Sequence, residues 1–137
     1  METVVTRWTE EMAFDSAVGG HHVVMDAEKE FGGNDKGPRP KFLLLCALCG
    51  CTGMDVVSIL RKMQVNLDAF TVTAQAEVAG SHPKVLTGIH LVYEFAGKDL
   101  PLDKLRKACD LSQDKYCSVS AMLKKACPVT YEIRTAD

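Results

Sequence analysis

The chain has 137 residues, is 47% hydrophobic and 25% charged, and carries a formal net charge of -2. That length suits one domain, residues 1–137, with an apolar core that needs no covalent staples. The near-neutral charge excludes a polyanion binder of the nucleic-acid kind and a protein held electrostatically on anionic lipid.

Residues 3–26 read as short strands. Val4, Val5 and Trp8 lie in the first, Met12 and Phe14 in the second, and His21 to Met25 return after a Gly19-Gly20 turn. This is an antiparallel meander. A loop over residues 27–40 leads to Pro40, which suits the first position of a helix. The helix predicted over residues 41–64 is apolar all round in its first half, FLLLCALCGC. A helix of that kind is buried on every side, by a sheet and a partner subunit. In its second half Val56, Val57 and Leu60 point inward, and Asp55, Arg61 and Lys62 reach water. Residues 69–79 and 85–95 alternate as a strand hairpin, with Val85, Ile89, Leu91, Tyr93 and Phe95 on one face of the second strand. Residues 101–111 form a helix with Leu102, Leu105 and Cys109 inward. Residues 113–126 form another, with Tyr116, Val119, Leu123 and Ala126 inward. Val129, Tyr131 and Ile133 alternate in a last strand.

The N-terminus lacks the pattern of an export signal, and the apolar run from Phe42 to Cys51 is too short to span a bilayer. The expectation is a cytoplasmic protein, with no membrane and no nucleic-acid partner. Its six cysteines would then be reduced thiols.

Three chemistries fail on geometry. On a helix, Cys51 lies about 200° round from Cys49, so Cys46-x-x-Cys49-x-Cys51 cannot close a tetrahedral metal site. The Cys46-x-x-Cys49 pair sits in a helix interior, away from the helix N-terminus where a redox motif gains its thiolate. Both cysteines read as small buried hydrophobes. His21 and His22 face opposite sides of a strand, His82 sits in a turn, and His90 lies on a polar strand face. Neither a metal nor a cofactor is expected. A fourth candidate is the pair Cys51, between Gly50 and Thr52-Gly53, and Cys117, in the first turns of its helix, where backbone dipoles help lower a thiol pKa; from spacing alone, buried structural cysteine is the commoner case for both.

The stretch GPRPKFLLLCALCGCTGMDVVSILRKM resembles the central-helix signature of the OsmC/Ohr family, the osmotically inducible and organic hydroperoxide resistance proteins. KYCSVSAML resembles its second signature. Cys51 and Cys117 take the places of the family's two reactive cysteines. The Asp55 to Leu60 and Lys115 to Ser118 blocks are similar to the YhfA-like branch. The resemblance implies an α+β fold, with antiparallel sheets around a long buried central helix in an intertwined homodimer.

It also implies a thiol peroxidase. The Cys51 thiolate would attack an organic hydroperoxide, Cys117 would resolve the sulfenic acid, and an external dithiol would restore both. Two family features are missing: Lys41 stands where members carry Glu, and Thr9-Glu10-Glu11 lacks their Arg. Arg7, Arg39 and Lys41 are the candidate cations for the thiolate. The alternative is a redox-sensing or hydrophobic small-molecule binding protein of the same fold, with little turnover. Cys127-Pro128-Val129 imitates the string found at the second cysteine of many members. Its position favours a structural role for Cys127, as for Cys109.

Overall fold

The computed structural model describes all 137 residues. Contacts cluster the chain into two compact units, Met1–Leu45 and Cys46–Asp137.

In the first unit, β1 (Val5–Glu10), β2 (Ala13–Val18) and β3 (His21–Met25) form the expected antiparallel meander. Met12 falls in the β1–β2 turn, beside Glu11 with its positive φ. The loop after β3 is tied by the buried carboxylate of Asp26. It accepts hydrogen bonds from the backbone N–H groups of Ala27, Asn34 and Lys36. These bonds, that from Lys36 foremost, hold the Asp26 pKa below its ordinary value. A Cβ on Gly33 would sit 2.0 Å from the Ala27 carbonyl oxygen, so only glycine lets this loop close.

The long helix α1 (Pro40–Lys62) begins on the expected proline. It is long and apolar enough to cross a membrane by length and composition. The apolar stretch therefore extends beyond Cys51, with Asp55 its one acid before Arg61. Within the chain it is not buried on every side. One stripe at four-residue spacing, Leu48, Thr52, Val56 and Leu60, is buried. Phe42, Leu44 and Met54 are exposed. Cys46 is also exposed and Cys49 only half-buried, contrary to their reading as core hydrophobes.

The second unit carries a three-stranded sheet in the order β4 (Ala69–Val78), β5 (Leu86–Ala96), β6 (Val129–Ala136). β4 and β5 are the expected hairpin. β6 runs parallel to β5, so the sheet is mixed rather than wholly antiparallel. The chain returns to β6 through helices, and such a crossover is what parallel pairing requires. An irregularity at Glu77/Val78 shifts the register, leaving Leu86 buried and Val85 exposed. Tyr93 and Phe95 are fully buried, and Phe70 stacks on Phe95 at 4.6 Å between ring centroids.

α2 (Leu102–Leu111) buries Leu105, Ala108 and Cys109, while Leu102, at its first position, is exposed. The next expected helix is broken in two. A π turn over Ser112–Tyr116 is followed by an extended Cys117 and a short α3 (Ser118–Leu123). Tyr116 and Ala126 face out, and Ser112, Gln113, Cys117 and Ser120 face in. An apolar periodicity cannot reveal this face, because its inward side chains are polar and bond to one another.

Candidate functional site

Cys51 and Asp55 are four residues apart on α1 and so share one face. Cys117 is the N-cap of α3, where its sulfur accepts a hydrogen bond from Ser120 N–H at 3.4 Å. The two sulfurs and one Asp55 carboxylate oxygen all lie within 4.8 Å of one another. Cys51 is half-buried and Cys117 buried, and all six cysteines are free thiols. Cys127 is buried at the approach to β6 and takes no part in this cluster. Burial pushes the Cys117 thiol up to about 11, and the charges of Cys51 and Asp55 add to the rise; Ser120 N–H offsets part of it. Its own helix N-terminus therefore fails to make Cys117 acidic.

Behind this triad runs a buried hydrogen-bond network. Thr52 Oγ1 shares bonds of 2.6 Å with Tyr93 Oη and 2.7 Å with Ser112 Oγ. Ser112 Oγ donates to Asp55 Oδ2 at 2.9 Å. Gln113 Nε2 donates to Thr52 Oγ1 and Tyr93 Oη, and Gln113 Oε1 accepts from Ser120 Oγ at 2.7 Å. A hydroxyl has one proton to give. Since Ser112 gives its proton to Asp55, Thr52 must donate to Ser112, and Tyr93 to Thr52. One carboxylate thus orients the whole row, and every buried side-chain polar atom has a partner.

Asp55 reaches water on one side, as its sequence position implies, while its carboxylate also anchors this row, which apolar spacing does not reveal. The Cys51-x-x-x-Asp55 spacing was the available signal. Of the candidate cations, Arg39 binds Asp35 at 2.6 Å and Glu28 at 3.6 Å, and it donates to the Gly37 carbonyl. Lys41 lies 5.8 Å from the centroid of the Phe42 ring. Arg7 is exposed on β1, opposite Asp15. His22 pairs with Asp15, and His90 with Thr130 and Glu132.

A groove of about 800 Å³ runs along another face of α1, lined by Cys49, Gly50, Gly53, Met54, Phe70 and Val72 among others. Cys51 is absent from its lining. Gly50 and Gly53, which flank Cys51 in sequence, line this groove, and the thiol itself does not.

The OsmC-like protein family model matches residues 33–132, a stretch that contains both signatures and all three members of the triad. The chain belongs to the OsmC-like family. It is 36% identical to the protein YhfA of Escherichia coli K12 over 133 residues, which covers 95% of this chain and 96% of that one. A crystal structure of a hypothetical protein from Aquifex aeolicus superposes with a TM-score of 0.84 at 27% identity. That match covers 100% of this chain and 98% of the other. The organic hydroperoxide resistance protein OhrB of Bacillus subtilis shares the fold, with a TM-score of 0.68 at 17% identity and 98% coverage of both chains. The expected OsmC-like α+β architecture is therefore the one this chain adopts.

Cys109 and Tyr93 add a pH dependence to this OsmC-like core. Burial raises both to about 12, from 9.0 and 10.0. Both hold their protons more tightly when folded. Their contribution is complete below about pH 9 and is lost as pH rises towards about 12. The urea midpoint should fall between about pH 8 and about pH 11, and Cys109→Ala should flatten part of that slope while lowering stability throughout.

Proposed function

We propose that the protein reduces organic hydroperoxides with Cys51 as the attacking thiol and Cys117 as the resolving thiol. The observation that carries this reading is the approach of the two sulfurs to within 4.8 Å, by residues far apart in sequence. Cys51 is the entry point because it is the more exposed of the pair. Its thiolate attacks the O–O bond of ROOH, the leaving alkoxide takes a proton to become ROH, and Cys51 becomes a sulfenic acid. The Cys117 thiol then displaces water from that sulfur to form a disulfide. An external dithiol reduces the disulfide by exchange and carries away the two electrons.

The hydroperoxide resistance neighbours support the substrate class. The exposed apolar faces of α1 support a homodimer as the working form. In this reading Arg7, Arg39 and Lys41 are the candidate cations for the thiolate, and Arg39 already pairs with Asp35 and Glu28.

The Asp55 carboxylate beside the thiols favours a second reading, a redox sensor that forms the disulfide once without sustained turnover. Its charge adds to the rise of the Cys117 thiol. Both readings are tested by adding tert-butyl hydroperoxide to the reduced protein. Loss of two of the six thiols per peroxide, mapped to Cys51 and Cys117, is expected. Unchanged thiols would remove both readings. Repeated turnover with dithiothreitol selects the peroxidase, and a single stoichiometric oxidation selects the sensor.

A further inference from the structure

We propose that Cys51, Asp55 and Cys117 form a binding site for a thiophilic divalent cation of the zinc class, with a water as fourth ligand. Two sulfurs and a carboxylate oxygen converge within 4.8 Å. Zn–S bonds of about 2.3 Å and Zn–O bonds of about 2.1 Å give tetrahedral edges of about 3.5–3.8 Å. The three atoms need to close by at most about 1.3 Å, within the reach of small side-chain rotations.

The donors come from two elements. Cys51 and Asp55 offer a pair at one helical turn's spacing on α1, and Cys117 approaches from the N-cap of α3. This solves the difficulty that ruled out Cys46-x-x-Cys49-x-Cys51. The partner that shares the Cys51 face is the acid four residues on, not the cysteine two residues back.

The surroundings resemble those of a prepared metal ligand set. Ser112 Oγ–H donates to Asp55 Oδ2 and is itself fixed by Thr52, so the carboxylate is oriented with its second oxygen unused by that bond. Ser120 N–H donates to Cys117 Sγ and favours its thiolate. Two ionisable thiols beside a carboxylate repel one another when charged, and a divalent cation removes that repulsion. Binding releases the two thiol protons to solvent and involves no change of oxidation state. The half-exposed side of Cys51 and Asp55 provides the way in. A cation held by both sulfurs would also block their oxidation, so metal and peroxide would compete for the pair.

The proposal does not depend on peroxidase turnover, and its test uses no peroxide. Zinc is titrated into the reduced chain against a chromophoric chelator, and cobalt(II) is added separately as a spectroscopic probe. One equivalent should bind, with the cobalt form showing thiolate charge transfer and tetrahedral ligand-field bands. Asp55→Asn and Cys117→Ser should each weaken zinc by more than about 10-fold. Cys46→Ser, at an exposed cysteine on the same helix, should change nothing. Circular dichroism checks that each variant is folded, and oxidation of the wild type with diamide should abolish binding reversibly. Zinc that follows Cys46, an absent cobalt–thiolate band, or unchanged affinity in folded Asp55→Asn would each overturn the proposal. Should Cys117→Ser not fold, Asp55→Asn and the diamide arm decide alone. If zinc does not bind but peroxide still oxidises the pair, this proposal fails while the functional reading stands.

Discussion

Cys51→Ser should reduce hydroperoxide consumption to the rate of the dithiol alone, whereas Cys117→Ser should still consume a first equivalent of peroxide, and a second when peroxide is in excess. The asymmetry follows from burial. The first step needs a thiolate that meets the peroxide, and Cys51 is the half-exposed member of the pair. Serine cannot replace it, because a hydroxyl is neither appreciably ionised near neutral pH nor a soft nucleophile. Cys117 is 3% exposed, and its pKa is pushed up to about 11, so it remains a thiol near neutrality. It suits the second step, attack on a sulfenic acid already held beside it. Without Cys117 the sulfenic acid persists and advances to sulfinic acid under excess peroxide. Mass spectrometry reads this as added oxygen on Cys51. A folded Cys51→Ser protein that retains full turnover would end the assignment. Cys127→Ser provides the control for the misleading Cys-Pro-Val string, and it should keep the cycle intact.

The element order was legible because it rests on local signals: Pro40 at a helix start, alternation in β4 and β5, and Gly19-Gly20 between β2 and β3. The inward face after Ser112 was not. Apolar spacing selected Tyr116 and Ala126, whereas Ser112, Gln113 and Ser120 go in because they satisfy one another together with Thr52 and Tyr93. A pattern built on hydrophobicity treats such residues as solvent-facing. The same blindness hides the second role of Asp55, which reaches water on one side and orients the row with its carboxylate. In the sequence Cys51 and Cys117 stand out only through the family resemblance, since spacing alone does not separate them from four other thiols. The parallel pairing of β6 was hidden for a different reason. Strand direction is a property of the whole crossover and leaves no mark in the alternation of Val129, Tyr131 and Ile133.

Met54→Asp should convert the proposed homodimer to a monomer at micromolar concentration. Met54 is 76% exposed, and it lines the groove of about 800 Å³ together with Val57, Phe70 and Val72. Phe42 and Leu44 are exposed on the same helix. Covering so apolar a helix with a second copy of itself removes from water a surface that the single chain leaves wet. An aspartate placed there costs little in an isolated chain, where it remains hydrated and loses only about half a kcal/mol of helix propensity. In an apolar interface its unpaired charge would cost several kcal/mol on each protomer, or about 1000-fold or more in dimer affinity. Sedimentation velocity separates the two states, and circular dichroism shows whether the variant keeps its helices. A dimer unchanged by Met54→Asp would move the interface away from this face of α1. A wild type that is monomeric throughout would show that one chain tolerates the exposed helix by itself. If monomeric Met54→Asp keeps the Cys51–Cys117 oxidation, the thiol site is complete within one protomer. If the reaction is lost on dissociation, the missing cation is supplied across the interface, with Arg7 as the first residue to exchange.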